Sequence, residues 1–139
     1  MSRTRTISGV TLVACLVLAG VAAADIFTGH NGTQSLSMGG GPDTCYMGGG
    51  DDYCDGDGGT DSIWGQGGKD ELRGGTGPYD QIHGDGDGGD PDLLNGGPDG
   101  GDVCWRGQND EIGGGCEQVN RSADAAGAEE PPAEAAPGS

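Results

Sequence analysis

The sequence predicts an all-β solenoid of short glycine- and aspartate-rich repeats, on three observations. A nine-residue unit recurs through residues 29–113, with an aspartate and an apolar side chain in fixed columns. Of 139 residues, 33 are glycine, 32% are apolar and 4% are aromatic, too little apolar surface for a conventional core. Each ordered residue costs roughly 1.5 kcal/mol of conformational entropy, and glycine loses the most backbone freedom. The formal charge is −17, from 23 acids against 6 bases. Six cations cannot supply the basic face that nucleic acid requires, and an anionic membrane surface repels such a chain. Something other than apolar packing must stabilise the fold.

The first element is a leader. Arg3 and Arg5 form a positive start, Ile7 to Leu18 is mostly apolar, and Ala22-Ala23-Ala24 supplies the small residues of a cleavage site. Residues 1–24 therefore read as a signal peptide, and the protein as secreted. A single membrane helix needs about 20 apolar residues, and Ser8, Gly9, Thr11 and Gly20 break the run. Leu12-Val13-Ala14-Cys15 also resembles a lipoprotein box, which would instead anchor the protein by a lipid on Cys15. Without residues 1–24 the charge becomes −19 over 115 residues, and four cysteines remain: Cys45, Cys54, Cys104 and Cys116. An even count in an exported chain favours disulfides. Nearest-neighbour pairing, Cys45–Cys54 with Cys104–Cys116, is one of three connectivities. Zinc is disfavoured because no C-x-x-C spacing occurs.

The repeats follow. Met47 to Asp55, Gly56 to Trp64 and Gly65 to Arg73 are successive nines; Met38 to Tyr46 precedes them without a gap, and Gly29 to Ser37 is a degenerate first copy. The sixth column reads Gln34, Asp43, Asp52, Asp61 and Asp70, then Asp80, Asp92, Asp102 and Asp110 at intervals of 10, 12, 10 and 8. The eighth reads Leu36, Cys45, Cys54, Ile63, Leu72, Ile82, Leu94, Cys104 and Ile112. A disordered glycine- and aspartate-rich linker shares this composition. Composition does not explain why, after the first copy, an aspartate always stands two residues before the apolar slot.

This pattern resembles the repeats-in-toxin, or haemolysin-type, calcium-binding nonapeptide family, G-G-x-G-x-D-x-U-x with U apolar. The resemblance covers about 85 of the 139 residues. Met38 and Met47 replace the first glycine of their copies. It implies a parallel β-roll in which six residues turn and three form a strand, successive strands lie in opposite sheets, and two repeats complete a coil. Many family members leave by a type I route with a C-terminal signal. The apparent leader here departs from that pattern, so neither toxin activity nor that route carries over.

The residue types suit calcium on physical grounds. This hard cation takes six to eight oxygens at about 2.3–2.6 Å, and glycine-rich turns can aim carbonyl oxygens at one point. In the β-roll implied by the resemblance, repeats n and n+2 stack, placing Asp43 with Asp61, Asp52 with Asp70, and Asp61 also with Asp80. The expected ligands are Asp43, Asp52, Asp61, Asp70, Asp80, Asp92, Asp102 and Asp110. Leu36, Ile63, Leu72, Ile82 and the cysteines form a thin core, so ion binding has to contribute folding energy.

Other motifs carry less. Gly84-x-Gly86-x-x-Gly89 matches a dinucleotide fingerprint, but no βαβ unit surrounds it and Asp85 and Asp87 would repel a pyrophosphate. An EF-hand started at Asp51 fails at Tyr53 and Ser62. With His30 and His83 the sole histidines, no H-E-x-x-H or G-x-S-x-G motif occurs, so no enzymatic activity is expected. Trp64, Trp105, Tyr46 and Tyr53 could stack on sugars, yet three of them fall at the ninth position, which favours outward-facing packing. Asn31-Gly-Thr33 and Asn120-Arg-Ser122 are glycosylation sequons.

The expected organisation is a leader at 1–24, a calcium-binding β-roll at 25–119 and a disordered tail at 120–139, rich in Ala, Glu, Pro and Gly. The expected partner is calcium, with neither nucleic acid nor membrane insertion after cleavage; no protein or glycan partner is legible. A surface, adhesion or ice-contacting solenoid with calcium only as scaffold is the alternative, although Thr44 and Thr60 make no threonine ladder. Cys104–Cys116 is expected to close the last coil, because repeats stop after Ile112 and Gly113-Gly-Gly115 permits a reversal.

Overall fold

Three-residue strands with one buried residue between two more exposed ones build the molecule, as the column pattern requires. The computed structural model describes residues 3–6, 15–17, 24–84 and 90–121. Its strands are β1 (Arg3–Thr6), β2 (Cys15–Val17), β3 (Asp25–Thr28), β4 (Ser35–Ser37), β5 (Thr44–Tyr46), β6 (Tyr53–Asp55) and β7 (Ser62–Trp64). They continue with β8 (Glu71–Arg73), β9 (Gln81–His83), β10 (Leu93–Asn95), β11 (Val103–Arg106), β12 (Glu111–Gly114) and β13 (Gln118–Arg121). Odd strands form one seven-stranded sheet and even strands a six-stranded one. Every pairing between strands is parallel, so the chain is an all-β solenoid with the alternating topology of a parallel β-roll. No helix occurs among the described residues, so none there is long and apolar enough to cross a membrane.

The eighth column fixes the register. Cys45 stands opposite Ile63, Ile63 opposite Ile82, and Ile82 opposite Cys104 in one sheet. In the other, Leu36, Cys54, Leu72, Leu94 and Ile112 stack in turn. The register of the described strands therefore survives the uneven spacing after Asp70. In the regular coils Gly41, Gly50, Gly59 and Gly68 have φ of 126°, 122°, 136° and 113°, where a side chain would be strained. The buried core is larger than expected: Phe27, Met38, Met47 and Leu94 join Leu36, Cys45, Cys54, Ile63, Leu72, Ile82 and Cys104.

The ends hold more strand than the repeat pattern suggests. β3 precedes the first recognised copy, placing Phe27 opposite Cys45. After the turn at Gly114 and Gly115, β13 pairs with β11 and runs to Arg121, across the expected boundary after residue 119. Cys104 and Cys116 form a disulfide with Cα atoms 5.8 Å apart, joining β11 to the turn before this last strand. The expected leader lies outside the described residues except for Ala24 and for β1 and β2, which pair with β3 and β4. Residues 122–139 of the expected tail, and Asp85 to Gly89 of the dinucleotide-like motif, also lie outside them.

Candidate metal centre

All eight expected ligands, Asp43, Asp52, Asp61, Asp70, Asp80, Asp92, Asp102 and Asp110, are buried at the corner where a turn enters its strand. The turn brings each aspartate to the corner, and the inward residue two places on anchors it there.

The expected n to n+2 relation holds, but through the backbone. Asp43 N–H donates to Asp61 Oδ1 at 2.8 Å, Asp52 N–H to Asp70 Oδ1 at 2.9 Å, and Asp61 N–H to Asp80 Oδ1 at 2.8 Å. Asp70 N–H reaches Asp92 Oδ1 at 2.8 Å, Asp80 N–H reaches Asp102 Oδ1 at 2.9 Å, and Asp92 N–H reaches Asp110 Oδ1 at 3.1 Å. One oxygen of each carboxylate thus clips its coil to the one before it. Asp25 and Gln34 begin the two ladders by donating to Asp43 and Asp52, each at 2.7 Å. Glu117 ends one of them, its Oε2 accepting from Asp102 N–H at 2.8 Å. Gln34 already heads the sixth column in the sequence, whereas Asp25 and Glu117 were missed as ladder members. Asp25 with Phe27 and Glu117 with Val119 do carry the carboxylate-x-apolar signal.

The second oxygen faces inward. Asp43, Asp52, Asp61, Asp80 and Asp102 each leave a buried Oδ2 with no hydrogen-bond partner among the described residues. A buried polar atom in that condition costs about 1–3 kcal/mol, and a charged one more. At Gly56 a Cβ would collide with both Asp61 Oδ2 and the Gly74 carbonyl oxygen. At Gly74 it would meet Asp80 Oδ2 and the Gly96 carbonyl, and at Gly84 the Oδ2 atoms of Asp92 and Asp110. Glycine at the first position therefore leaves a corner onto which two oxygens point. No group of three or more His, Cys, Asp or Glu side chains able to hold a metal forms among the described residues. A cation here would take one or two carboxylate oxygens and depend on carbonyls for the others.

The electrostatics match. Burial pushes the carboxyls of Asp52 and Asp61 up to about 7 and that of Asp80 to about 6, and it raises Asp43 and Asp102 as well. The backbone N–H from the preceding coil opposes the shift without cancelling it. Neighbouring charges on Asp80 and Asp43 push Asp61 further. A hard cation in the corner would relieve all three stresses at once: missing partner, burial and mutual repulsion. The residues fit calcium.

The aromatic rings of the seven-stranded sheet pack on one another. Tyr46, Trp64, His83 and Trp105 stack along the seven-stranded sheet with ring centroids 4.7, 4.9 and 4.1 Å apart and planes within 20°. The internal ring faces cover one another, which is the packing role expected of the ninth position, and His83 is its unforeseen member.

No family model matches this chain, and comparisons with curated proteins and with solved structures return no match.

Proposed function

We propose that this is an exported calcium-binding β-roll, without catalytic activity of its own, that completes its fold by taking up calcium. The observation that carries the reading is the glycine corner: the unpartnered Oδ2 atoms of Asp61 and Asp80, each facing a carbonyl oxygen of a later coil. Asp61 and Asp80, with the Gly74 and Gly96 carbonyls, would hold ions along one ladder; Asp70, Asp92 and Asp110 would serve the other. Bound calcium supplies positive charge, two for each ion against a mature net of −19. The chain supplies buried oxygens and, through the Oδ1 clips, the order that aims them. Export fits the expected leader and an extracellular millimolar calcium range, and the motif resemblance to the repeats-in-toxin family points the same way.

Far-UV circular dichroism of the mature chain at neutral pH tests this. A disordered spectrum should gain strand signal at about 10⁻⁴–10⁻³ M calcium, the range of extracellular modules. A calcium-free spectrum already rich in strand and unmoved by calcium would overturn it.

A further inference from the structure

The coil from Met38 to Asp55 has another device at its centre. Cys45 on β5 and Cys54 on β6 project from opposite sheets into the core, and both are fully buried. Cys54 Sγ–H donates to Cys45 Sγ at 2.8 Å, and Cys45 Sγ–H donates to Met47 Sδ at 3.0 Å. Three sulfurs this close suggest either a soft metal or a covalent bond. Two sulfurs on one ion, each at about 2.3 Å, stand roughly 3.8 Å apart in tetrahedral geometry, so a metal would have to push this pair away from its contact. A disulfide needs it only to close.

We propose that Cys45 and Cys54 are an oxidisable pair that forms a second disulfide, cross-linking the two sheets inside the coil where methionines occupy the first position. The inference does not rest on calcium binding. The step is thiol–disulfide exchange with a low-molecular-weight disulfide such as oxidised glutathione. The thiolate of one cysteine attacks a sulfur of the oxidant and expels one thiolate. The second cysteine, deprotonated, attacks the protein sulfur of that mixed disulfide and expels the other. One disulfide is reduced to two thiols as two protein thiols are oxidised, and the two protons pass to the released thiolates. Both thiols are fully buried, which shuts out the oxidant, so exchange belongs to the open chain. Folding then seals the product. The bond closes a loop of nine residues' separation around Asp52, worth about 100-fold in the folding constant for a loop near ten residues.

The full chain is refolded from urea at pH 8 in a glutathione redox pair, once with calcium and once without, then alkylated, digested and weighed unreduced. A peptide linking Cys45 to Cys54, beside one linking Cys104 to Cys116, is expected. Urea unfolding before and after reduction is then compared between wild type and Cys54→Ala, which keeps Cys104–Cys116. Reduction should lower the wild-type folding constant by about 100-fold more than that of the variant. Alkylated Cys45 and Cys54, links from either to Cys104 or Cys116, or equal losses on reduction would overturn the proposal. If calcium changes nothing while the linking peptide appears, the calcium reading fails and this one stands.

Discussion

The coil from Met38 to Asp55 and the next, from Gly56 to Arg73, share strands, register and ladder, yet fill the same places differently. β5 pairs with β7 and β6 with β8 without a shift. At the first position of each repeat the earlier coil has Met38 and Met47, both buried, and the later one Gly56 and Gly65. In the eighth column Cys45 and Cys54 face Ile63 and Leu72. One coil spends its corner on sulfur packing; the other leaves it to two oxygens. The β-roll therefore fills its first position in two ways, while both coils keep buried aspartate Oδ2 atoms without a hydrogen-bond partner among the described residues.

Protons should produce the largest effect, and they should not discriminate between the coils. Asp52 in the first coil and Asp61 in the second are both pushed from 3.8 to about 7 by burial. A carboxyl raised in the folded state favours folding fully below its unfolded value and loses that contribution as pH rises through the folded one. Calcium-free protein should therefore show strand near pH 4 and lose it between about pH 4 and 7, in both coils together. Hydrogen exchange read on peptides from each coil checks this. Strand that grows as pH rises without calcium would break the account of the buried carboxylates.

Calcium should discriminate. Gly56→Ala places a methyl group against the Gly74 carbonyl and Asp61 Oδ2, a clash with backbone that costs about 3 kcal/mol. Met47→Ala removes a buried core side chain for a similar cost, about 3 kcal/mol. The two should differ in how calcium acts. Gly56→Ala should lose the calcium response of coil 56–73, whereas Met47→Ala should lose stability equally with and without calcium. Urea titrations at both calcium levels give the answer, and equal calcium responses would remove the distinction between the coils.

A smaller effect follows from Asp61. Asp61→Asn keeps an oxygen that can accept Asp43 N–H but removes a buried charge, so it should stabilise the calcium-free protein above pH 7. It should weaken calcium-induced folding by about 2 kcal/mol, the scale of a charged hydrogen bond. Asp110→Asn should do less, because Asp110 Oδ2 already accepts Gly107 N–H at 2.6 Å. Equal effects in a calcium titration would point to diffuse condensation of ions on an acidic chain.

Much of this was legible because periodicity survives in side-chain type. The Asp-x-apolar columns placed β4 to β12, their register and their inward side chains, even across intervals of 8 to 12 residues. The ends were not legible, because alanines rather than glycines precede Asp25 in the sequence and Glu117 replaces the aspartate. The Oδ1 clip was hidden for a different reason. It joins a side chain to a backbone N–H a whole coil away, and no residue type at the donor end reports it. Met38 and Met47 looked like simple departures from the motif, although their buried side chains fill the first position that glycine leaves open in the next coil.

The last and smallest effect concerns the position next to those methionines. At the second place the earlier coil has Gly39 and Gly48, with φ of 94° and 95°, and the later coil has Asp57 and Gln66, with φ of 66° and 72°. All four are left-handed, a conformation that costs a residue with a Cβ roughly 1 kcal/mol. Glycine relieves that strain but returns part of the gain through the extra freedom of its unfolded chain. Asp57 has compensation: its Oδ2 accepts from Ser37 Oγ–H and from Gly39 N–H. Gln66 is exposed, and no such side-chain bonds accompany it among the described residues. Gln66→Gly should therefore stabilise the folded chain by about 0.5 kcal/mol, equally with and without calcium, while Asp57→Gly should be neutral or destabilising. Urea midpoints of both variants test this. A loss in Gln66→Gly matching that in Asp57→Gly would mean that strain at the second position does not distinguish the two coils.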